Sequence, residues 1–362
     1  MYFSMNERIN MFKDFYKNRN YTPLLGFFVG SEYPLKRYDS VKNLPQNVPL
    51  KPIDFDTKSF AKDCRELFKL NESFGGEFIW SASAFWGIPW IEALIGMDIF
   101  ADHNTGSLYA QLPPGETNLS IPEFRDSNPW AVLCKDFLFE IAEESNGDFP
   151  LATTRTRGVA DILSALFPGE KLIYKMMDAP EEIHELCDKA ADLIIDFLNF
   201  QLKYIPDFHG GIGSFYYNMW APKNTVWHQE DAAALLSPEL YDEFIAGQDM
   251  KISKSFDNCI MHQHPVGYMA YEKFLNMNFT ALELHRDEGG PSAKELGDVY
   301  NKILLKNRLL IWGNLSDEDL DYIFKELECK GLAVCCVVNT REQADRIWAK
   351  YNEAQMGPTP PL

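Results

Sequence analysis

The sequence has too little positive charge for a protein that binds nucleic acid or an anionic membrane surface. Its 34 lysine and arginine residues stand against 53 aspartate and glutamate residues, which gives a formal net charge of −19 at pH 7. Neutralising phosphates or lipid headgroups requires the opposite balance. We therefore expect neither a nucleic acid nor a membrane as a partner, and a small-molecule substrate becomes the favoured one.

Cysteine pairs and long apolar runs are also missing. The seven cysteines are scattered and contain no CxxC pair, so neither a disulfide framework nor a zinc ribbon is indicated. The longest apolar stretches, such as Leu332 to Val338, are far shorter than the roughly 18 residues of a membrane span. The N-terminus has no apolar core typical of a signal peptide. These absences predict a cytoplasmic protein.

Several common catalytic fingerprints do not occur. We find no Gly-x-Gly-x-x-Gly nucleotide motif, no P-loop and no Gly-x-Ser-x-Gly elbow. Nicotinamide, ATP and serine-hydrolase chemistry therefore have no support in the sequence. What remains is an ordinary globular composition, with 46% hydrophobic and 24% charged residues, which is sufficient for a large buried core.

Eight short runs of β-forming character alternate along the chain with stretches of helical period. This alternation is typical of parallel strands joined by helical crossovers, and eight is the strand count of a closed barrel. The sequence predicts an α/β fold, a single (β/α)8 TIM barrel over residues 1–355, with a disordered tail at 356–362. The runs are Tyr21–Gly30, Glu77–Ala84, Phe149–Thr154, Gly211–Met219, Cys259–His264, Thr280–Leu284, Arg308–Gly313 and Leu332–Val338.

The two halves of the chain differ in regularity. In the first half, the long connections Ser31–Asp56 and Phe85–Arg125 are rich in proline, glycine and aromatic residues, and we expect these insertions to cover one barrel mouth. In the second half, capping residues and helical spacing of apolar residues mark clear helices. The predicted helices are Ala179–Tyr204, Ser237–Phe256, Pro291–Lys306 and Ser316–Cys329.

The most distinctive candidate site lies at the end of the fifth run. The period of two places His262 and His264 on one face, where two imidazoles can share a metal ion or a substrate. A zinc site needs a third ligand, for which Glu283 and one of Cys335 and Cys336 are candidates, since adjacent strand residues point to opposite faces. The alternative is a network of hydrogen bonds without a metal.

Other polar residues follow the predicted strands, where barrel enzymes place their sites. Glu283 is a candidate catalytic group on the sixth run, and Asp231 is either an acid or base or the cap of a short helix. The two arginines after the third run either clamp a carboxylate or phosphate or form outward salt bridges. The candidate substrate-binding residues are Arg155, Arg157, Tyr217, Trp220 and His285.

The order of several motifs resembles the uroporphyrinogen decarboxylase superfamily, which also contains cobalamin-dependent methyltransferases that act on coenzyme M and methylated substrates. The resemblance runs from about Phe149 to Tyr351, and a segment further upstream is similar to methyltransferase-like members. The motifs are the helix at Pro180–Asp188, the segment Asp231–Phe244, the strand with His262, Gly313-Asn314-Leu315, the final helix Thr340–Tyr351 and the upstream Gly87–Leu94.

Two departures bear on what the resemblance implies. The decarboxylases grip their substrate with an arginine-rich N-terminal motif, whereas Thr22–Tyr33 here contains no arginine. In the methyltransferases, a His-x-Cys on the fifth strand and a late cysteine bind zinc, and here the pair is His262-Gln263-His264. The resemblance then implies zinc on His262 and His264, with Cys336 as the third ligand.

The function that this resemblance favours is methyl transfer between a small methylated substrate or thiol acceptor and a corrinoid carried by a partner protein. The alternative is decarboxylation of uroporphyrinogen or another acidic substrate without any cofactor, with Asp231 stabilising a protonated intermediate and Arg155 or Arg157 holding a carboxylate. A non-catalytic barrel that only binds a ligand is a third possibility. The resemblance also leads us to expect a homodimer.

Overall fold

The computed structural model describes residues 3–116, 119–215 and 217–355, so the predicted tail at 356–362 lies outside the described residues. The strands are β1 (Leu24–Val29), β2 (Asp98–Asp102), β3 (Ser107–Gln111), β4 (Gly211–Ser214), β5 (Met219–Pro222), β6 (Thr225–Gln229), β7 (Asn258–Gln263), β8 (Ala281–Arg286), β9 (Arg308–Gly313) and β10 (Leu332–Val338).

The helices are α1 (Met5–Phe15), α2 (Pro34–Arg37), α3 (Thr57–Phe74), α4 (Trp90–Ile95), α5 (Pro129–Ser145), α6 (Val159–Leu166), α7 (Lys171–Asp178), α8 (Pro180–Leu202), α9 (Pro238–Leu240), α10 (Ala246–Lys254), α11 (Tyr271–Phe274), α12 (Gly297–Leu304), α13 (Asp317–Glu326) and α14 (Arg341–Gln355). Short 3-10 turns occupy Asp39–Val41, Pro52–Asp54 and Asp231–Leu235, and a π-helical turn at Tyr241–Ile245 joins α9 to α10.

Six strands form one parallel sheet in the order β1, β10, β9, β8, β7, β6. The apolar run of β10 is buried almost throughout, as expected for a parallel strand covered on both faces. Parallel strands direct their carboxyl ends to the same edge, so the ends of β6, β7 and β8 lie side by side. In this register Gln229 is the neighbour of His262, and His262 is the neighbour of Glu283.

The α/β fold is confirmed, and five of the eight predicted runs are strands of this sheet. The fourth run, Gly211–Met219, was a wrong prediction, because β4 and β5 form an antiparallel hairpin outside the sheet. The turn of this hairpin contains Asn218 in a left-handed conformation with φ 56°. The sheet strand at this position is β6, which begins after a second left-handed residue, Asn224.

The second and third predicted runs are buried but are not regular strands in the described residues. They meet in a single parallel bridge between Ala82 and Leu151. Isolated backbone hydrogen bonds link them to their neighbours, from Glu77 to Leu25 (3.0 Å) and from Gly213 to Leu151 (2.8 Å). The described part of the chain therefore has a six-stranded parallel sheet, and the closed eight-stranded barrel stays a prediction.

The two long connections in the first half pack over the carboxyl edge of the sheet. The second connection carries the hairpin β2–β3, and a bridge between Gln46 and Ala101 joins the first connection to it. Ser107 and Leu108 of the hairpin and Glu32 after β1 line the cavity at this edge. Both insertions therefore contribute to the wall of the candidate site.

The helices of the second half follow the predictions with local differences. Ser316 caps α13, where its side chain and that of Asp319 form a capping box. By contrast, the helix predicted from Pro291 begins only at Gly297. In the described parts of the chain, the helices are either too short or too polar to cross a bilayer.

Candidate active site

A cavity of about 300 Å³ opens at the carboxyl edge of the sheet, where β6, β7 and β8 end. Three histidines, His262, His264 and His285, occupy one side of it, together with Asp231. The remaining wall is largely aromatic, and Glu32 and Arg155 add one acidic and one basic side chain. The aromatic lining residues are Tyr33, Trp86, Phe215, Tyr217 and Trp227.

The three histidines alternate with three carboxylates in a closed ring, which we call the histidine–carboxylate ring (Asp231, His262, Glu283, His285, Asp287 and His264). Two pairs of adjacent members of the ring are in hydrogen-bond contact: His262 Nδ1 with Glu283, and His264 Nδ1 with Asp287 at 2.8 Å. In three other adjacent pairs the atoms are 3.7 to 3.8 Å apart. These pairs are Asp231 Oδ1 with His262 Nε2, Glu283 Oε1 with His285 Nδ1, and Asp287 Oδ1 with His285 Nε2. The sixth pair, Asp231 and His264, offers ligand atoms within 4.8 Å of each other.

A buried hydrogen-bond network orients His262. The Tyr217 hydroxyl donates to Glu283 Oε2 at 2.9 Å and accepts from the Trp227 indole N–H at 2.7 Å. Because the Tyr217 proton is used in this way, the contact of His262 Nδ1 with Glu283 is best satisfied by an Nδ1–H donor. The Nε2 atom of His262 then faces Asp231.

Asp231 is itself positioned from behind by Gln229 and Asp161. The Gln229 side-chain amide donates to Asp231 Oδ2 and to Asp161 Oδ2, both at 2.8 Å. Asp161 is buried, and it also accepts the backbone N–H groups of Ala232 (2.8 Å) and Gly158 (3.1 Å). The Gln229 amide therefore lies between the carboxylates of Asp161 and Asp231, and it fixes the orientation of Asp231, which faces the cavity.

The protonation of the ring is uneven. Burial favours the neutral form of His264, but the hydrogen bond to Asp287 and the charge of Asp231 raise the pKa of His264 above its ordinary value. Burial and the neighbouring His262 and His264 lower the pKa of His285 to about 3. His285 is therefore neutral at physiological pH, whereas His264 carries a proton more readily than a free histidine.

The arrangement provides several sets of metal-ligand atoms. Asp231, His262 and His264 each offer one ligand atom within 4.8 Å of the others, and so do His262, Glu283 and His285. Glu283 Oε1 and His285 Nδ1 are buried without a hydrogen-bond partner. Imidazoles backed by carboxylates are typical of metal-ligating histidines, so this donor set fits a divalent cation such as zinc.

The fold is shared with a solved methyltransferase. The structure of a methyltransferase from Methanosarcina mazei matches with a TM-score of 0.63 and 13% sequence identity, covering 97% of this chain and 99% of that one. No family model and no curated protein sequence matches this chain. At this identity the likeness establishes the fold, and any activity must be argued from the site.

Most of the predicted site residues do converge on the cavity. His262, His264, His285, Asp231, Tyr217 and Arg155 line it, and Glu283 lies directly behind His262. The Arg155 guanidinium lies over the Trp86 ring, 5.8 Å from its centroid.

Three predicted residues lie elsewhere. Arg157 pairs with the fully buried Glu92 at 3.1 Å, so it forms a salt bridge, although one directed inward and not the outward one of the alternative. Trp220 donates to the Phe208 carbonyl and packs against Tyr16, away from the cavity. Cys336 belongs to none of the ligand groups found among the described residues.

Of the two adjacent cysteines, Cys335 is the one on the face of the sheet that carries His285. It is the register neighbour of Trp312, which in turn neighbours His285. Burial and the nearby charges of Cys336 and Glu283 raise the pKa of the Cys335 thiol well above its usual range. A thiol in this state is a poor ligand unless a cation displaces its proton.

Several site residues were missed by the sequence interpretation. Trp227 and Gln229 were not among the predicted site residues because β6 was not recognised as a strand, although their period-two spacing in Thr225–Gln229 places them on one face. Asp161 could not be found from the sequence, since its role depends on α6 packing against the end of β6. Asp287 was likewise not among the predicted site residues.

Proposed function

We propose that this protein is an enzyme that transfers a methyl group between a small substrate and a corrinoid carried by a separate protein. The observation that carries the proposal is the pair His262 and His264, each backed by a carboxylate and each lining the cavity. Such imidazoles hold a cation or move a proton beside a substrate heteroatom. The likeness in fold to a methyltransferase adds support at the level of scaffold.

The residues proposed to hold a zinc ion are His262 and His264, with Asp231 as the third ligand in place of the predicted Cys336. When bound there, zinc supplies Lewis acidity, which lowers the pKa of a coordinated thiol or hydroxyl so that it reacts or leaves as the anion. Glu283 accepts the Nδ1–H of His262 and Asp287 accepts that of His264, and each carboxylate holds its imidazole ring in one orientation. Gln229 holds Asp231 toward His262.

The corrinoid enters this proposal as a group carried by a partner protein, and the sheet edge is where it would be presented. We propose that the runs at 77–84 and 149–154 close the sheet into a barrel around the cavity through their bridge and their backbone hydrogen bonds. The expected homodimer also remains a proposal. None of these three features is needed for the argument from the histidine pair.

The alternative of uroporphyrinogen decarboxylation receives little support from the cavity. Its volume of about 300 Å³ is at the lower limit of ligand sites, which suits a single-ring molecule better than a tetrapyrrole. Only one of the two candidate arginines reaches the lining. Simple ligand binding is also less favoured, because convergent titratable groups are typical of catalytic sites.

The test of the proposed function is a methyl-transfer assay followed by the absorbance change of cobalamin. Purified protein, loaded with zinc, is mixed with methylcobalamin and thiol acceptors, or with cob(I)alamin and methylated donors. We expect conversion with at least one compound and its loss in the double variant His262→Ala/His264→Ala. The variant His184→Ala, on a half-exposed helix position, should retain activity. Absence of any cobalamin conversion across thiols, methyl ethers and methylamines would contradict the proposal.

A further inference from the structure

A second cavity, of about 180 Å³, lies at the amino edge of the sheet, opposite the candidate active site. It is placed where the chain enters β1, and the Asn20 side chain holds this entry by donating to the carbonyl groups of Thr22 and Cys329, at 2.8 and 2.6 Å. A cavity of about 150 Å³ can hold a molecule the size of benzene, so this one has room for a ligand of about six non-hydrogen atoms. Its lining residues are Met11, Asp14, Arg19, Asn20, Tyr21, Thr22, Leu24 and Glu77.

Glu77 is a buried carboxylate in the wall of this cavity, and the residue is only 5% exposed. Its Oε2 atom accepts the backbone N–H of Leu25 at 2.7 Å, whereas Oε1 accepts no hydrogen bond from the described residues. Buried carboxylate oxygens are normally paired with donors. Because Glu77 lines the cavity, a donor on a ligand can reach the oxygen that lacks one.

The other charged groups around this carboxylate are paired with one another. Arg19 and Asp14 form an ion pair at 3.6 Å in which both side chains are more than half exposed. Arg8 binds Glu72 through two hydrogen bonds of 2.8 Å. The Tyr351 hydroxyl donates to a backbone carbonyl, and burial raises the pKa of Tyr351, so this group stays neutral. These partners leave the carboxylate of the cavity wall without a cation of its own.

The charge of Glu77 is correspondingly unfavourable in the folded protein. Burial raises the pKa of Glu77 to about 7, and the backbone N–H of Leu25 is the group that opposes the shift. A cation beside the carboxylate would lower this pKa, because it stabilises the ionised form. The cavity wall therefore favours a ligand with a positively charged group that also donates a hydrogen bond.

The rest of the lining indicates which kind of cation fits. Met11 and Leu24 supply apolar surface, and Tyr21, which is 91% exposed, adds an aromatic ring at the rim. An aromatic ring attracts a nearby organic cation. A hard metal ion takes about six or more oxygen ligands, which apolar walls do not supply. An ammonium group on a short apolar chain suits this lining better, because the chain can bury its surface against Met11 and Leu24.

We propose that the cavity at the amino edge is a second ligand site, which binds a small primary ammonium compound. The ammonium group donates to Oε1 of Glu77, the apolar part lies against Met11 and Leu24, and the Tyr21 ring lies beside the cation. The site is independent of the proposed methyl transfer, since it lies at the other edge of the sheet from His262. Its occupant compensates the buried charge and thereby stabilises the folded protein.

Calorimetry on zinc-free protein at pH 8 tests the site. The probe is n-butylammonium, compared with 1-butanol, which has a similar size and no charge, and with potassium ion, which has the charge and no apolar chain. We expect saturable binding of butylammonium at millimolar concentration and weaker binding of the other two. Equal binding of 1-butanol or of potassium, or no heat with butylammonium, would overturn the proposal.

Variants test the two contacts of the cation. Glu77→Gln should weaken binding of butylammonium by about tenfold or more, because the charge is removed while the shape is kept. Tyr21→Ala, at an exposed position where folding is not at risk, should weaken it by about two- to fivefold, the loss expected for one cation–π contact. Glu66→Gln and Tyr174→Ala, at exposed helix positions, are the matched controls and should bind as the unaltered protein does. Full binding in both site variants, or an equal loss in the controls, would contradict the assignment.

The pH dependence distinguishes this site from the cavity at the carboxyl edge. The probe binds the ionised carboxylate of Glu77, so its affinity should rise by about tenfold between pH 6 and pH 8. At pH 7 binding should release about half a proton per ligand, measured in buffers of different ionisation enthalpy. Both effects should persist in His262→Ala/His264→Ala and disappear in Glu77→Gln. An affinity that is independent of pH, or loss of binding in the histidine double variant, would overturn the placement of the site.

Discussion

The Nε2 atom of His262 lies 3.7 Å from Oδ1 of Asp231. This separation is too long for a hydrogen bond, and it is close to the roughly 3.4 Å between two ligands held about 2.1 Å from one tetrahedral ion. The carboxylate behind His262 and the amide behind Asp231 hold both groups in this relation. The separation of the two atoms therefore suits two ligands of one cation.

Zinc binding is the direct consequence to measure. Protein purified without a histidine tag and dialysed in zinc-containing buffer should retain about one equivalent of zinc by elemental analysis. The double variant His262→Ala/His264→Ala should lose it, and His184→Ala should not. A content below about a tenth of an equivalent in the unaltered protein would leave the two histidines as acid, base or substrate-binding groups.

The Gln229 amide is expected to be important for stability, because it is the donor between two carboxylates. In Gln229→Leu, both Asp161 and Asp231 lose that donor, and the free energy of unfolding should fall by about 2 kcal/mol. Gln263→Leu on the adjacent strand is the control, because Gln263 Oε1 has no hydrogen-bond partner. Urea denaturation measures both. Equal stability of the two variants would argue against this role.

Gln229→Glu gives a pH-dependent version of the same experiment. Three neighbouring carboxylates cannot all ionise without repulsion, so the pKa of at least one should rise in the folded state. The stability lost at pH 8 should be partly recovered near pH 5, where the cluster holds a proton. A constant difference from the unaltered protein across this range would contradict the proposed contact.

Glu77 should make the unaltered protein less stable as the pH rises. Burial raises the pKa of Glu77 to about 7, against an ordinary value of 4.5, although the backbone N–H of Leu25 opposes the shift. Between pH 4.5 and pH 7 the folded state holds a proton on Glu77 that the unfolded state has already lost. The free energy of unfolding therefore falls as the pH rises toward 7. The size of the effect is roughly 3 kcal/mol.

Glu77→Gln should remove this dependence. The variant keeps an oxygen that can accept from Leu25, and it should be more stable than the unaltered protein at pH 8 but similar at pH 4.5. Thermal unfolding across this pH range measures the difference, with the exposed Glu66→Gln as control. A variant whose advantage does not grow with pH would show that Glu77 is ionised throughout.

The two arginines of the Thr153–Gly158 segment should have different roles, Arg157 in stability and Arg155 in ligand binding. Arg157→Gln leaves Glu92 buried without its cation and should lower the free energy of unfolding by about 3 kcal/mol, at the lower end of the range because Arg157 is partly exposed. Adding Glu92→Gln should recover much of this loss. Arg155→Gln should change ligand affinity with little effect on stability. If instead Arg157→Gln weakened ligand binding in a fully folded protein, its predicted role as a clamp would be restored.

The fold could be predicted from the sequence wherever the hydrophobic pattern is local. The runs that became β7 to β10 are short, apolar and bounded by capped helices, so their period identifies them. The fourth run was misplaced because two left-handed asparagines, Asn218 and Asn224, divide one aromatic-rich stretch into three strands. Turn chemistry of this kind overrides the propensity of the flanking residues.

The candidate site was predictable to the extent that its residues follow strand ends. His262, His264 and His285 come from the alternation within β7 and β8, which places them at one edge. The orienting residue Asp161 depends on how α6 meets β6, and such long-range packing leaves no local signal. The salt bridge of Arg157 could not be predicted for the same reason, since its partner Glu92 lies far away in the chain.

The end of β6 has a mechanical consequence for how a substrate enters. The Glu230 carboxylate accepts the backbone N–H groups of Val159 and Ala160, at 2.6 and 2.8 Å, so the loop that carries Arg155 is fastened to the strand that carries Gln229. We expect this side of the cavity to move as one body. The insertions supply Tyr33, Ser107 and Leu108 to the lining, so we expect widening of the entrance to come from displacement of those residues. Substrate access and catalytic geometry are thereby assigned to different parts of the chain.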